Sequence, residues 1–206
     1  MNDISEHPAY SKNVQELVTV ANAYCLTMEK LESTKKSWLI DYLQKVFPLL
    51  YLKISLIPVI DVQNPEANER FFTVEEWEFL FNQLRKKFAD DDDFWFIDQA
   101  ATHNDPVKGS IAECLTDIYQ DLKDFLLLYQ TGTAEVMSDA LWECRMNFEN
   151  FWGQKLVNAM RAIHKFIYSG EEIGMVEEDI KGNDGGRNTS DWFITRRQKD
   201  LRGNGE

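Results

Sequence analysis

Arg145 and Glu149 stand four residues apart inside an apolar stripe made by Leu141, Trp152, Leu156 and Ile163. On a helix that spacing makes them neighbours. Burying an ion is costly unless it is paired and hydrogen-bonded, so charges at these positions need an answer. They either close on each other as a salt bridge that fixes helix register, or meet polar groups of facing helices such as Asp121, Glu32 or Tyr119. In the second case they line a polar pocket, where Arg145 would hold an anionic group and Glu149 would serve as hydrogen-bond acceptor or base. His164 lies on the edge of the same arc and could join them, or be satisfied by one neighbour. The candidate binding residues are therefore Arg145, Glu149, Asp121 and His164.

A second pattern with chemical potential is the carboxylate ladder Glu113, Asp117, Asp121 and Asp124 within SIAECLTDIYQDLKDFLLLY, residues 110–129. On a wheel turning about 100° per residue, its centre lies about 130° from that of the stripe Leu115, Ile118, Leu122, Phe125, Leu126 and Tyr129. Most of the ladder is expected to face water, with Asp121 nearest the core edge. Inward pairs such as Glu113 with Asp117 would suit a magnesium-dependent hydrolase of the helical nucleotide-pyrophosphatase kind. Di-iron bundles need Glu-x-x-His, and none of His7, His103 and His164 has a Glu three residues before it. The four aspartates Asp90 to Asp93 read as a solvated loop, since consecutive loop carboxylates do not converge on a cation unaided. Neither a GxSxG nucleophile turn nor a GxxxxGK[ST] or GxGxxG phosphate loop occurs. No cofactor and no metal-ligand set are assigned.

The elements that must position these residues are helical. VQELVTVANAYCLTMEKL, residues 14–31, has the i, i+3, i+4, i+7 pattern of an amphipathic helix. A second helix starts near Thr34, should kink or restart at Pro48 and ends at Pro58. Its LLYLKISLI stretch is apolar nearly all round, as in a central helix packed on several sides. Thr73 and Glu76 have capping-box spacing and open a helix to about Phe88; Ser110 and Glu113 repeat that spacing. Phe94 to Ile97 read as a hydrophobic plug in an irregular segment reaching Gly109, and no alternating strand pattern is evident. The longest helix runs from Thr133 or Ser138 to Tyr168, closed by Ser169 and Gly170.

Seven of the ten glycines lie between Gly170 and Gly205, so residues 171–206 read as a largely disordered tail. Within it DWFITRRQKDLR carries Trp192, Phe193, Arg196 and Arg197, a basic-aromatic segment able to meet another protein. A net charge of -13 works against nucleic acid and anionic membrane surfaces as partners. The first residues lack a cationic start and an apolar h-region, and the apolar run from Val46 to Leu52 is too short to span a bilayer. A cytoplasmic location is expected. Cys25, Cys114 and Cys144 are odd in number and far apart, which favours buried reduced thiols over disulfides.

The stretches ANAYCLTME, FPLLYLK, LTDIYQDLKDFLLLY and ALWECRMNFENFWGQKLVNAMRAIH resemble an uncharacterised bacterial helical family, domain of unknown function 5063. The resemblance covers most of the chain before the tail. It implies a compact helical bundle and carries over no catalytic residue.

The chain thus reads as all-α: one antiparallel bundle of about five main helices over residues 1–170, then the tail. The favoured function is a non-catalytic protein-interaction or adaptor module, using the tail or the acidic face. The alternative is a small-anion or nucleotide-binding protein, or a metal-dependent hydrolase, with a polar pocket inside the bundle.

Overall fold

The periodicities become five helical rods in a computed structural model that describes residues 7–60, 62, 70–97 and 105–169. They are α1 (Lys12–Glu29), α2 (Lys36–Ser55), α3 (Val74–Phe88), α4 (Ile111–Gln130) and a last rod made of α5 (Ala134–Asn147), a π-helical turn (Phe148–Trp152) and α6 (Gly153–Tyr168). The tail residues Trp192, Phe193, Arg196 and Arg197, and also His103, lie outside the described residues. Among those described, no helix is long and apolar enough to cross a membrane.

The rods are arranged around α4, which packs against α1, α3, α5 and α6, while α2 lies on α1 and α6. The α4 stripe of Leu115, Ile118, Leu122, Phe125 and Leu126 is buried as its wheel requires, and Cys114, Thr116, Tyr119 and Leu128 on its flanks are buried too. A helix covered on several sides is central. The Tyr24 hydroxyl donates to the Leu115 carbonyl at 2.8 Å, tying α1 to α4 within the core. The three cysteines are free and buried, and burial pushes the Cys25 and Cys114 thiols up to about 12. Such thiols stay protonated and unreactive near neutral pH.

The α2 helix departs from expectation twice. It runs unbroken through Pro48, which sits on its solvent side, where the carbonyl one turn back can turn to water. Nor is it central: Leu50 and Ile54 are buried, whereas Leu49, Tyr51, Leu52 and Leu56 are between 41% and 49% exposed.

The aspartate run and the plug behind it also differ from the sequence reading. Asp92 is fully buried rather than solvated. Its Oδ2 accepts from the Ser110 hydroxyl at 2.5 Å and from Arg85 at 3.0 Å, and its Oδ1 accepts from the Ala112 N–H at 2.7 Å. Its carbonyl takes the Ile111 N–H at 2.9 Å. The first N–H groups of a helix lack partners within it and lie at its positive end, so a carboxylate there is favoured twice over. Ser110 accepts from the Glu113 N–H at 3.1 Å, but the Glu113 carboxylate goes elsewhere, so only half of the expected capping box forms. At Thr73 both halves form.

Asp92 leads into an antiparallel hairpin, β1 (Asp93–Ile97) paired with β2 (Pro106–Ser110). Asp-Phe-Trp-Phe-Ile is apolar on both faces, which hides the period of two. Inside the pair, Phe94 lies across Gly109, where a Cβ would fall 2.6 Å from the ring.

The π turn controls the phase of the last rod. Phe148 packs on the core, Trp152 and Leu156 lie in it, and from Cys144 the positions Phe148, Trp152 and Leu156 follow in steps of four. A regular helix cannot keep that spacing on one face for three turns, and a single wide turn restores the phase. Gly153 makes it possible, because a Cβ there would lie 2.3 Å from the Phe148 carbonyl oxygen.

Two substitutions test these fasteners. Asp92→Ala leaves the Ser110 hydroxyl, the Ala112 N–H and Arg85 without their acceptor and should cost about 2–4 kcal/mol in urea unfolding. Gly153→Ala overpacks the π turn and should cost about 1–3 kcal/mol in the same assay.

Candidate functional site

The π turn decides what Arg145 and Glu149 face. Arg145 Nε donates to Glu149 Oε1 at 2.9 Å, and an Arg145 Nη donates to the Ile57 carbonyl at 2.9 Å. The Arg145 side chain is 31% exposed and that of Glu149 55%. A straight wheel puts Glu149 among apolar residues; the wide turn rotates it outward, so the sequence expectation of an inward-facing Glu149 is corrected. The pair borders a shallow depression of about 240 Å³ beside Pro58, Val59 and Ile60, where Arg145 holds the chain as it leaves α2.

Asp121 lies elsewhere, in the cleft between α4 and α5. Its Oδ1 accepts from Asn147 Nδ2 at 2.7 Å, with Arg70, Asp124 and Glu143 lining the same narrow space. Burial raises the Asp121 carboxyl to about 6, against the lowering effect of the Asn147 hydrogen bond. His164 is exposed, its ring 4.8 Å from that of Tyr168. The four candidates are thus spread over three places and form no common pocket. Asn147 is the residue the sequence reading missed; its signal was a polar side chain between Cys144 and Phe148 on an inward arc.

The ladder meets partners rather than bulk water. Glu113 accepts from Lys155 at 2.8 Å, and Asp117 accepts from the same ammonium and from the Trp77 indole N–H at 2.8 Å. Asp124 accepts the Phe71 and Phe72 N–H groups, each at 2.9 Å, where the chain enters α3. The expectation of a solvent-facing ladder fails because α3 and α6 lie along both of its flanks. Burial pulls the Lys155 ammonium down, but the hydrogen bonds of Asp117 and Glu113 outweigh it and the net shift is upward. A lysine held charged in this way is a fastener, not a nucleophile.

Among the described residues, a groove of about 730 Å³ opens between α3 and the corner where α1 gives way to the 3-10 turn Leu31–Ser33. Its floor is Met28, Phe72, Leu80 and Tyr119, with Phe72 set edge-on to Tyr119 at 5.1 Å between centroids. Glu29, Glu32, Glu75 and Glu76 stand on the rim with Lys30. Phe79 is 65% exposed beside them. The Tyr119 hydroxyl donates to Glu29 at 3.1 Å and Lys123 pairs with the same oxygen at 2.7 Å; Glu32 and Tyr119 line this groove, whereas Arg145 lines the depression by Pro58. Among the described residues, no three His, Cys, Asp or Glu side chains converge to hold a metal ion.

The Asp121 carboxyl gives a pH signature. Its folded value, about 6, lies above the ordinary 3.8, so the folded state binds the proton more tightly and loses stability as pH rises from 3.8 through 6. Asp121→Asn keeps an acceptor for Asn147 and removes the ionisable group. The variant should melt at a higher temperature than the parent above pH 6, and the gap should close below 3.8. A gap that ignores pH would show that Asp121 carries no such shift.

No protein of curated function matches this chain at a significant level. Protein BF1032 from Bacteroides fragilis, known from its crystal structure, is similar at 41% identity with a TM-score of 0.72, over 81% of this chain and 99% of that one. The family model described as Domain of unknown function (DUF5063) matches residues 8–169, from the turn before α1 to the residue closing α6. The bundle around α4 is therefore the shared unit, and this chain belongs to the DUF5063 family.

Proposed function

We propose that this protein is a non-catalytic protein-interaction module whose contact surface is the groove between α3 and the end of α1. The observation that carries this reading is the groove itself: about 730 Å³ of open space with an apolar floor. Monomeric proteins seldom expose an aromatic ring beside a wide apolar hollow without a use for it. Among the described residues, Arg145, Asp121 and Lys155 are each engaged. Arg145 holds Glu149 and Ile57, Asp121 holds Asn147, and Lys155 holds Asp117 and Glu113. The reading carries with it a cytoplasmic location, supported by three buried free thiols.

A photo-crosslinking side chain installed at Phe79 in the native cell should give discrete protein adducts, while one at Leu52, on the exposed apolar side of α2, should not. Adducts at Leu52 with none at Phe79 would move the contact surface to α2 and remove the proposal.

A further inference from the structure

We infer that the occupant of the groove is a basic amphipathic helix contributed by another protein. The inference rests on the reading of the groove as a contact surface and adds the chemistry of the partner. Three observations lead to it.

The first is shape. On α3 the groove is lined by Glu75, Glu76, Phe79, Leu80 and Gln83, which recur at the spacing of one helical face. The eight helical rises from residue 75 to residue 83 extend about 12 Å, so the trough accommodates about two turns of a second helix. Its opposite wall is the end of α1 and the turn after it. Such a trough takes anchors at i, i+3 or i+4, and i+7.

The second is backbone chemistry. The α3 wall is the side of a helix, whose interior N–H and C=O groups are paired within it and whose start Thr73 caps, and past the end of α1 the Lys30 and Leu31 carbonyls take the Ser33 and Thr34 N–H groups. An extended segment laid there would find no strand edge to pair with and would desolvate most of its own peptide groups. A helix arrives with those groups already paired. Side-chain anchoring on Met28, Phe72, Phe79 and Leu80 then decides affinity.

The third is charge. The rim carries four glutamates against Lys30. Glu29 is paired with Lys123, and Glu76 is tied to the Thr73 N–H and hydroxyl. Glu32 and Glu75 are exposed, one on each wall. Like charges facing each other across an apolar trough repel, and a ligand bearing cations on both sides of an apolar stripe relieves both walls at once. An acidic or neutral helix would leave that repulsion in place. A small polycation would answer the rim and leave the floor wet.

The test uses the full chain and a synthetic 15-residue peptide of Leu and Lys with apolar residues at i, i+3, i+4 and i+7, followed by calorimetry and by amide-exchange mapping. Three controls accompany it: the same composition scrambled so that the stripe is lost, the stripe with Glu in place of Lys, and spermine. The striped Lys peptide should bind and protect amides in residues 28–33 and 72–83. Glu32→Lys with Glu75→Lys should weaken it by about tenfold or more, as reversal of two rim charges predicts. Phe79→Ala, at a side chain the fold does not bury, should also weaken it. Glu135→Lys, at an exposed residue of α5 outside the groove, should leave it unchanged.

Equal binding by the scrambled peptide, by the Glu peptide or by spermine overturns the inference, and so does protection that maps outside the groove. The two readings fail separately. Adducts from position 79 together with a failed Lys peptide leave the contact surface standing and remove the basic helix.

Discussion

The buried carboxylate of Asp92 is the interaction on which the rest of the structure depends. A helix surrounded on several sides needs a fixed starting point, because a slip of one residue turns its whole apolar face. Asp92 and Ser110 together receive the N–H groups of Ile111, Ala112 and Glu113, and Arg85 brings α3 to the same carboxylate. One side chain thus sets the start of α4, the end of α3 and the first pair of the hairpin, Asp93 with Ser110. The side chain is held there by hydrogen bonds to both of its oxygens at the positive end of a helix.

From that origin α4 works as a spine with fasteners at regular intervals. Glu113 and Asp117 hold α6 through Lys155, Asp117 also holds α3 through Trp77, Asp121 holds α5 through Asn147, and Asp124 holds the chain entering α3. Apolar packing alone tolerates sliding of one helix along another, since burial is not directional. Polar contacts at the edge of a core are directional, so they select one register. The arrangement has a functional consequence: the residues that looked most like catalytic equipment are occupied in holding helices at fixed heights.

The legible and illegible parts of the sequence divide along physical lines. The helices of Leu17, Tyr24 and Met28, of Leu80, Leu84 and Phe88, and of Leu115, Ile118 and Leu122 were legible because amphipathic periodicity is local. The hairpin was not, because Asp93 to Ile97 pairs with a partner nine or more residues further on and is apolar on both faces. The outward turn of Glu149 was missed because a straight wheel has no π turn, although Phe148, Trp152 and Leu156 at steps of four, with Gly153 directly after Trp152, were on view. Arg145 and Glu149 were rightly paired with each other, whereas their grouping with Asp121 and His164 depended on a phase that the wide turn changed. The groove was illegible for a deeper reason. It is made by the relative placement of α1 and α3, and neither Met28 nor Phe79 says anything about the other.

The groove also owes its persistence to where the polar links fall. The α1 wall is bound to α4 by Tyr24 on the Leu115 carbonyl and by Glu29 with Tyr119 and Lys123; the α3 wall is bound to α4 by Trp77 on Asp117. All of these lie on the α4 side of the trough, and none runs from α1 to α3. The walls are therefore fixed to a common base, with Lys87 of α3 also donating to the Thr34 carbonyl just past the turn at 2.5 Å, while the rim glutamates oppose closure. A trough held open in this way keeps Met28, Leu80 and Tyr119 in place before any partner arrives, so little ordering remains to oppose association. In the proposed recognition surface, preorganised apolar anchors inside a mostly acidic rim would give affinity through the floor and selectivity through the rim.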